Sequence, residues 1–479
     1  MASLADPAFA MLINGCAVDA SQTIAVVNPA TEALIAHVPD CDEAGLNAAV
    51  RAARGAFPGW RDTPYAQRQA ALRTIGATLA AHADTLAAIL TAEQGKPLAA
   101  AVGEIQAAAW WIGVVAEQEL PVHVSEALPG QRSVTRHVPL GVVGAIVPWN
   151  MPNFMLVAKL IPALLAGCPV ILKPSPETPL DANLLAEIVR QAELPEGLVS
   201  ILPGGRELGQ YLVAHPGVDT SSVTGSSAVG RQVATVCGGA LRRVSLELGG
   251  KSAAIVLDDA DPSFVAEGAK VSGLMNSGQA CVAQTRILVP RSRYGEFVDA
   301  LAGMVSTIPV GNPDDPANEI GPMVAQRQQA RVRGYIEAGQ HEGARLVVGG
   351  TDLPGSVDRG WYIRPTLFAD VDNQMTIARE EIFGPVLSVI PYDGDAEAVR
   401  IANDSEYGLA GSVWTADIDR GLAVAKEVRA GTYGINGAYP MDPMFPMGGF
   451  KASGIGRELG SEGIETFLET KSISGVRPA

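Results

Sequence analysis

Cys281 stands in Asn276-Ser277-Gly278-Gln279-Ala280-Cys281-Val282-Ala283, a run of small side chains and glycine that leaves a thiol uncrowded. Upstream, Glu247-Leu248-Gly249-Gly250-Lys251 offers a carboxylate. A thiolate attacks carbonyl carbon readily, and a carboxylate held in a partly dry site can take a proton from water. The pair therefore suggests acyl chemistry through a thioester. A single cysteine is more often a small buried hydrophobe than a nucleophile, so the assignment depends on what accompanies it.

Four further segments could serve a carbonyl reaction. Thr224-Gly225-Ser226-Ser227-Ala228-Val229-Gly230 follows a strand pattern and opens a helix, where free backbone N–H groups can meet a phosphate. It has neither the GxGxxG spacing nor a P-loop ending, and ordinary strand-to-helix turn chemistry is its alternative. Lys173-Pro174-Ser175 ends another strand at the sheet edge where ligands of parallel sheets bind, or is simply a solvated strand end. Pro148-Trp149-Asn150 places a side-chain amide where it could donate to an oxyanion, or forms an Asn turn before a helix. Glu380-Glu381-Ile382-Phe383-Gly384-Pro385-Val386 offers a carboxylate for ribose hydroxyls and a ring for a flat cofactor, or a charged loop with a buried Phe.

These segments sit at the ends of regular elements. Residues Glu43 to Trp111 read as successive Ala-rich amphipathic helices, with a stripe of Leu72, Ile75, Leu79, Leu86 and Ile89 to Leu90 broken near His82 to Asp84. From Gly141 the pattern alternates strands (Val142 to Val147, Val170 to Leu172, Leu198 to Leu202, Ser221 to Val223) with helices (Asn153 to Ala166, Asp181 to Ala192, Leu208 to Ala214, Ser226 to Cys237). Strands Arg243 to Leu248 and Ala253 to Leu257 mark a change of unit. Beyond Cys281 a second set follows: strands Arg286 to Val289, Val386 to Ile390 and Gly411 to Trp414, with helices Tyr294 to Val305, Ala325 to Glu342 and Ala396 to Ala402. Two α/β lobes with a cleft between them are expected, and Thr466 to Ser474 reads as an edge strand needing a partner chain.

With 479 residues, 47% hydrophobic and 18% charged, the chain is long enough for two or three lobes. Its 51 acidic against 35 basic residues give a net charge of −16, and no Lys/Arg run overrides that field, which disfavours nucleic acid and anionic membrane surfaces as partners. The longest apolar stretch, Leu160 to Leu172, is interrupted by Pro162, Gly167 and Pro169 and is too short to span a bilayer. Met1 to Pro7 shows no secretory signal pattern, so a cytoplasmic location is expected. Five scattered cysteines and six dispersed histidines favour free thiols and no metal site.

Taken in order, Pro-Trp-Asn, Lys-Pro-Ser, Thr-Gly-Ser-x-x-x-Gly, Glu-Leu-Gly-Gly-Lys, Gly-Gln-x-Cys and Glu-Ile-Phe-Gly-Pro give a set that resembles the aldehyde dehydrogenase superfamily. The resemblance runs from about Ile13-Asn14-Gly15 to Ser472, taking in Asn403 to Leu409 and Lys451-Ala452-Ser453-Gly454. It implies an α/β fold of two parallel-sheet lobes, a Rossmann-like cofactor lobe (1–118 and 139–246, with 440–462 returning to it) and a catalytic lobe (247–439). A small β oligomerisation element (119–138 and 463–479) would make a homodimer or homotetramer.

By motif match, Trp149, Lys173, Gly225, Ser226, Glu381 and Phe383 would contact NAD, with NADP possible. Cys281 would attack the aldehyde, Asn150 would hold the oxyanion and Glu247 would activate water to hydrolyse the thioester. Relatives that acylate coenzyme A generally lack this base, so its presence favours hydrolysis. Glu458 maps to a carboxylate that some relatives use in proton relay, or is a structural ion pair. Many NAD-preferring relatives carry Glu where Pro176 stands here, with Glu177 adjacent; no Arg or Lys follows in Lys173 to Leu180 to pair with a second phosphate. Met151, Phe154, Met155, Ala158, Met275, Met441 and Met447 would line an uncharged substrate tunnel, or merely fill core space. An uncharged tunnel favours bulky apolar aldehydes, aromatic, medium-chain or terpenoid such as geranial, over charged ones. A semialdehyde dehydrogenase of the same family, a cysteine esterase and a non-catalytic scaffold are the alternatives.

Overall fold

A computed structural model describes residues 9–119, 123–128, 131–438, 442 and 444–476. Two large sheets organise it. The first has eight strands in the order Gly454–Ile455, Arg243–Glu247, Thr220–Thr224, Val143–Ile146, Val170–Lys173, Val199–Ile201, Met11–Ile13 and Cys16–Val18. Its central five pair in parallel, while the outer ones run antiparallel. The second has seven, Arg345–Val348, Thr366–Ala369, Val386–Tyr392, Arg286–Pro290, Ala253–Val256, Ala410–Trp414 and Thr432–Ile435, all parallel but the first.

Both sheets are buried on two faces, as parallel sheets require. Side chains alternate along each strand, so Val170 and Leu172 join an apolar core under helices Tyr65–Ala81, Leu98–Ala116, Pro152–Ala166 and Pro179–Gln191, while Ile171 faces a second core with Leu46, Leu212 and Met11. In the other sheet Ala254, Ile287 and Val389 pack under Pro262–Leu274 and Tyr294–Thr307; Ile255, Leu288 and Ile390 pack under Gln326–His341 and Asp395–Asn403. The expected strands and helices from Gly141 onward are all present, with ends moved by a few residues.

The N-terminal strands, the short strands Arg345–Val348 and Thr432–Ile435, and the helices Pro262–Leu274 and Ile418–Glu427 were not foreseen. Met11–Ile13 is only three residues, and Arg345–Val348 is largely uncovered, so neither shows a usable alternation. Helix Leu98–Ala116 is long and apolar enough to cross a membrane by length and composition, but it packs on Tyr65–Ala81, Ala83–Gln94 and Pro152–Ala166. A third sheet holds His123–Leu128, Gln131–Pro139 and Leu468–Val476. The last of these is indeed extended, bonded to Gln131–Pro139 of its own chain with Thr470 opposite His137, and its outer edge has no strand partner among the described residues.

Candidate active site

Between the two lobes lies a cavity of about 260 Å³ lined by Trp149, Asn150, Thr224, Gly225, Ser226, Leu248, Gly249, Cys281, Gln328, Arg331, Glu381 and Phe383, with Pro148 at its edge. The second lobe contributes Cys281, Glu381 and Phe383 from loops ahead of strands Arg286–Pro290 and Val386–Tyr392, and Gln328 and Arg331 from helix Gln326–His341, while the first lobe contributes from strand ends. Val143–Ile146 leads into Pro148 to Asn150, Thr220–Thr224 into Gly225 and Ser226, and Arg243–Glu247 into Leu248 and Gly249. Ser226 caps helix Ser227–Gly239, its hydroxyl accepting from Val229 N–H, and Gly225 N–H donates to Glu247 C=O at 3.0 Å.

The loops meet so closely that glycine is obligatory at two points. A Cβ on Gly250 would lie 2.3 Å from the Cys281 carbonyl oxygen, and one on Gly278 would lie 2.1 Å from the Gly384 carbonyl oxygen. The Cys281 loop is thereby wedged between Glu-Leu-Gly-Gly and Glu-Ile-Phe-Gly-Pro. Before it the chain takes two consecutive left-handed residues, Asn276 (φ 51°) and Ser277 (φ 58°), held by the Ser277 hydroxyl to Gly321 C=O and by the Asn276 side-chain amide to Asn150 C=O.

Asn150 is buried, and its side-chain Nδ2 donates to Gln279 C=O at 2.9 Å. An amide nitrogen carries two hydrogens, so one anchors the group while the other is left over. Burial, with Glu381 and Glu247 adding their charge, pushes the Cys281 thiol up to about 12.

Glu247 is 3% exposed, and neither carboxylate oxygen has a hydrogen-bond partner among the described residues. Burial first and the charge of Glu458 second hold its carboxyl well above the ordinary 4.5, while Lys159 and Arg457 pull the other way. Glu458 itself is ion-paired to Lys159, whose ammonium also donates to the Ser222 hydroxyl at 3.1 Å.

Of the residues picked out by sequence for the cofactor, Trp149, Gly225, Ser226, Glu381 and Phe383 share the cavity. Trp149 and Phe383 meet edge to face at 5.2 Å, and Glu381 accepts from Gly250 N–H at 2.9 Å. Lys173 lies outside it, buried at its strand end with its ammonium bonded to Pro174 C=O and Gly204 C=O; burial lowers it to about 8. Glu177 pairs with Arg327 and accepts from the Ser175 hydroxyl. The sequence window around Lys173 lacks a second cation, but the fold brings Arg327 to it from the other lobe.

Phe154, Met155, Ala158 and Met447 belong to the large apolar core, with Met151, Cys281 and Val282 packed against it. Met275 opens the turn Met275–Gly278 and is not part of that core, and Met441 lies outside the described residues. Gln328 and Arg331 were missed. Gln328 holds Phe383 C=O at 2.8 Å and Arg331 holds Glu381 C=O at 2.6 Å, and their only signal is three-residue spacing on one helix face.

Residues 17–473 match the model of the "Aldehyde dehydrogenase family". The chain is 45% identical over 455 residues to the geranial dehydrogenase of Castellaniella defragrans, covering 94% of each protein. It superposes with TM-score 0.93 and 48% identity on a Mycobacterium tuberculosis aldehyde dehydrogenase complexed with NAD+, over 97% of each chain. With a Pseudomonas syringae aldehyde dehydrogenase complexed with NAD+ and octanal the TM-score is 0.94 at 40% identity, over 98% of this chain and 97% of that one.

Proposed function

From the chain's place in the aldehyde dehydrogenase family, to which it belongs, we propose the division of labour by which it oxidises an aldehyde to a carboxylic acid. The observation that carries this reading is the single cavity in which Cys281 and Asn150 meet a helix N-terminus at Gly225 and Ser226 and the rings of Trp149 and Phe383. That set suits a dinucleotide: free N–H groups for phosphate, the Glu381 carboxylate for hydroxyls, aromatic walls for a flat ring. NAD(P), when bound, accepts the hydride.

The chain's own residues do the rest. Cys281 gives its proton to solvent, its Sγ adds as the thiolate to the aldehyde carbon, and the spare Asn150 N–H with the Cys281 backbone N–H holds the oxyanion. After hydride leaves, a thioester remains on Sγ. Glu247 takes a proton from water, whose oxygen displaces the thiolate and releases the acid. Since Glu247 is a strong acceptor only when ionised, its raised pKa places hydrolysis at the alkaline side of the profile. The Lys159–Glu458 pair would pass that proton onward.

We divide the chain into a cofactor lobe (1–118, 139–246, 440–462), a catalytic lobe (247–439) and an oligomerisation element (119–138, 463–479), a reading that the eight-, seven- and three-stranded sheets support. We assign the open edge of Leu468–Val476 to association between copies. Charge is absent from Met151, Phe154, Met155, Ala158 and Met447, and relatives are named for geranial or crystallised with octanal, which supports bulky apolar aldehydes as substrates. A panel of aliphatic, aromatic, terpenoid and charged aldehydes, with reduced cofactor followed optically, tests it. kcat/KM rises from acetaldehyde to medium-chain and terpenoid substrates, and Cys281→Ala abolishes turnover while still binding NAD. Best activity on a charged semialdehyde discards the substrate class, and wild-type turnover in Cys281→Ala discards the nucleophile.

A further inference from the structure

Beneath Asn150 lies a charged pair that the reaction itself does not use. Lys96 and Glu104 are 3% and 4% exposed and ion-paired to each other. Lys96 follows helix Ala83–Gln94 after the Gly95 turn, and Glu104 faces inward from the apolar helix Leu98–Ala116. Two buried charges of this kind are costly to desolvate, so their retention calls for something they hold.

What they hold is the turn that carries Asn150. The Lys96 ammonium donates to the Asn150 main-chain carbonyl at 2.8 Å, and Glu104 accepts from the Phe154 N–H at 3.2 Å. Helix Pro152–Ala166 starts there without a side-chain cap of its own, because Met151 occupies the capping position. Its first-turn N–H groups need acceptors, and Glu104 reaches across from another helix to supply one. The same Asn150 carbonyl takes a second bond, from the Asn276 side chain at 2.8 Å, which ties it to the nucleophile loop. One ion pair thus spans residues 150 to 154, fixing both the peptide of Asn150 and the start of the helix that presents Phe154, Met155 and Ala158.

We propose that Lys96 and Glu104 are positioning residues for the oxyanion donor: the pair fixes the Asn150 peptide so that the free side-chain N–H points to the carbonyl oxygen on Cys281. This rests on the oxyanion role given to Asn150 above. The pair touches neither substrate nor cofactor, and its effect on the hydride-forming step runs through Asn150.

Lys96→Met with Glu104→Leu removes both charges together and leaves no ion unpaired. In single-turnover experiments the burst of reduced cofactor slows ~10–100-fold, the scale of a misplaced oxyanion donor, while the Kd for NAD stays within ~2-fold. In an Asn150→Ala background the same pair of changes costs less than ~2-fold more, because the donor they position is already gone. A purely structural role predicts the same loss in both backgrounds, and that result overturns the proposal, as does an undiminished burst rate in the pair variant. Should the pair variant fail to fold, Glu104→Gln decides. It keeps the shape and an acceptor oxygen but loses the ion pair; a slowed burst that vanishes in the Asn150→Ala background supports the proposal, and a wild-type burst ends it. A wild-type burst in Asn150→Ala alone refutes the oxyanion reading instead, which separates the two failures.

Discussion

Glu247→Gln separates the two halves of the reaction. The side chain is nearly isosteric, and no hydrogen bond among the described residues is lost because neither Glu247 oxygen makes one. Hydride transfer, which needs Cys281 and Asn150, should proceed, whereas water activation should not. A general base contributes ~10²–10⁴-fold, and the middle of that range applies to a buried carboxylate whose pKa is raised. We expect deacylation to slow about a thousandfold, which is about 4 kcal/mol on the barrier at ~1.36 kcal/mol per factor of ten. Stopped-flow mixing with aldehyde and NAD should give a burst of about one reduced cofactor per Cys281, then a slow steady state. Thermal unfolding supplies an independent check. Because the Glu247 pKa is higher folded than unfolded, its contribution to stability is fully present below the unfolded pKa and declines as pH rises toward the folded one. The glutamine lacks this loss, so the Tm of the variant should gain on wild type as pH increases from about 4 upward. Undiminished steady-state turnover, or no burst, refutes the assignment of the base.

Glu458→Gln removes the like charge beside Glu247 and leaves Lys159 to act on it, so the acid limb of the deacylation pH profile should move to lower pH; an unchanged limb shows that the two carboxyls do not communicate. Wild type should favour NAD, and a preference of ~10-fold for NADP in kcat/KM overturns this. Glu177→Gln should narrow the preference, because it frees Arg327 to pair with a 2′-phosphate; an unchanged ratio places the cofactor ribose elsewhere. Ala158→Trp should penalise bulky aldehydes selectively over acetaldehyde, and a uniform loss with a lower Tm shows that Ala158 is packed core, where overpacking costs ~1–3 kcal/mol.

Strand ends were the readable part of this protein. Parallel strands buried on both faces, such as Val143–Ile146 and Val170–Lys173, appear as short apolar runs, and Asn150 stands just beyond the first of them, as Gly225 and Glu247 stand at the ends of Thr220–Thr224 and Arg243–Glu247. Gln328, Arg331, Lys96 and Glu104 gave no comparable signal. The first two sit on the polar-rich helix Gln326–His341, where most such residues are solvated, and Glu104 is one acid in an otherwise apolar helix; each acquires its meaning only from a segment distant in sequence. Arg327 beside Glu177 makes the same point, since charge read within one window omits what the other lobe contributes. Strands on the rim, Arg345–Val348 among them, were invisible because partial exposure erases the alternation that marks a strand.

The register of Gly454 opposite Glu247 has a consequence for how the molecule is made. The strand that carries Glu247 is flanked on one side by a segment about 200 residues later in the chain, and the Ser453 hydroxyl donates to Gly249 C=O while accepting from Gly408 N–H. Glu458, whose charge adds to burial in raising the Glu247 carboxyl, arrives later still. At ~5–20 residues per second a ribosome needs roughly 10–35 s to travel from Cys281 to Glu458. During that interval the nascent chain carries Cys281 and Glu247 without the segment that pairs beside Glu247. Gly454 and Ile455 are late partners of an early strand, so the sheet edge beside Glu247 stays open until that distant segment pairs with it.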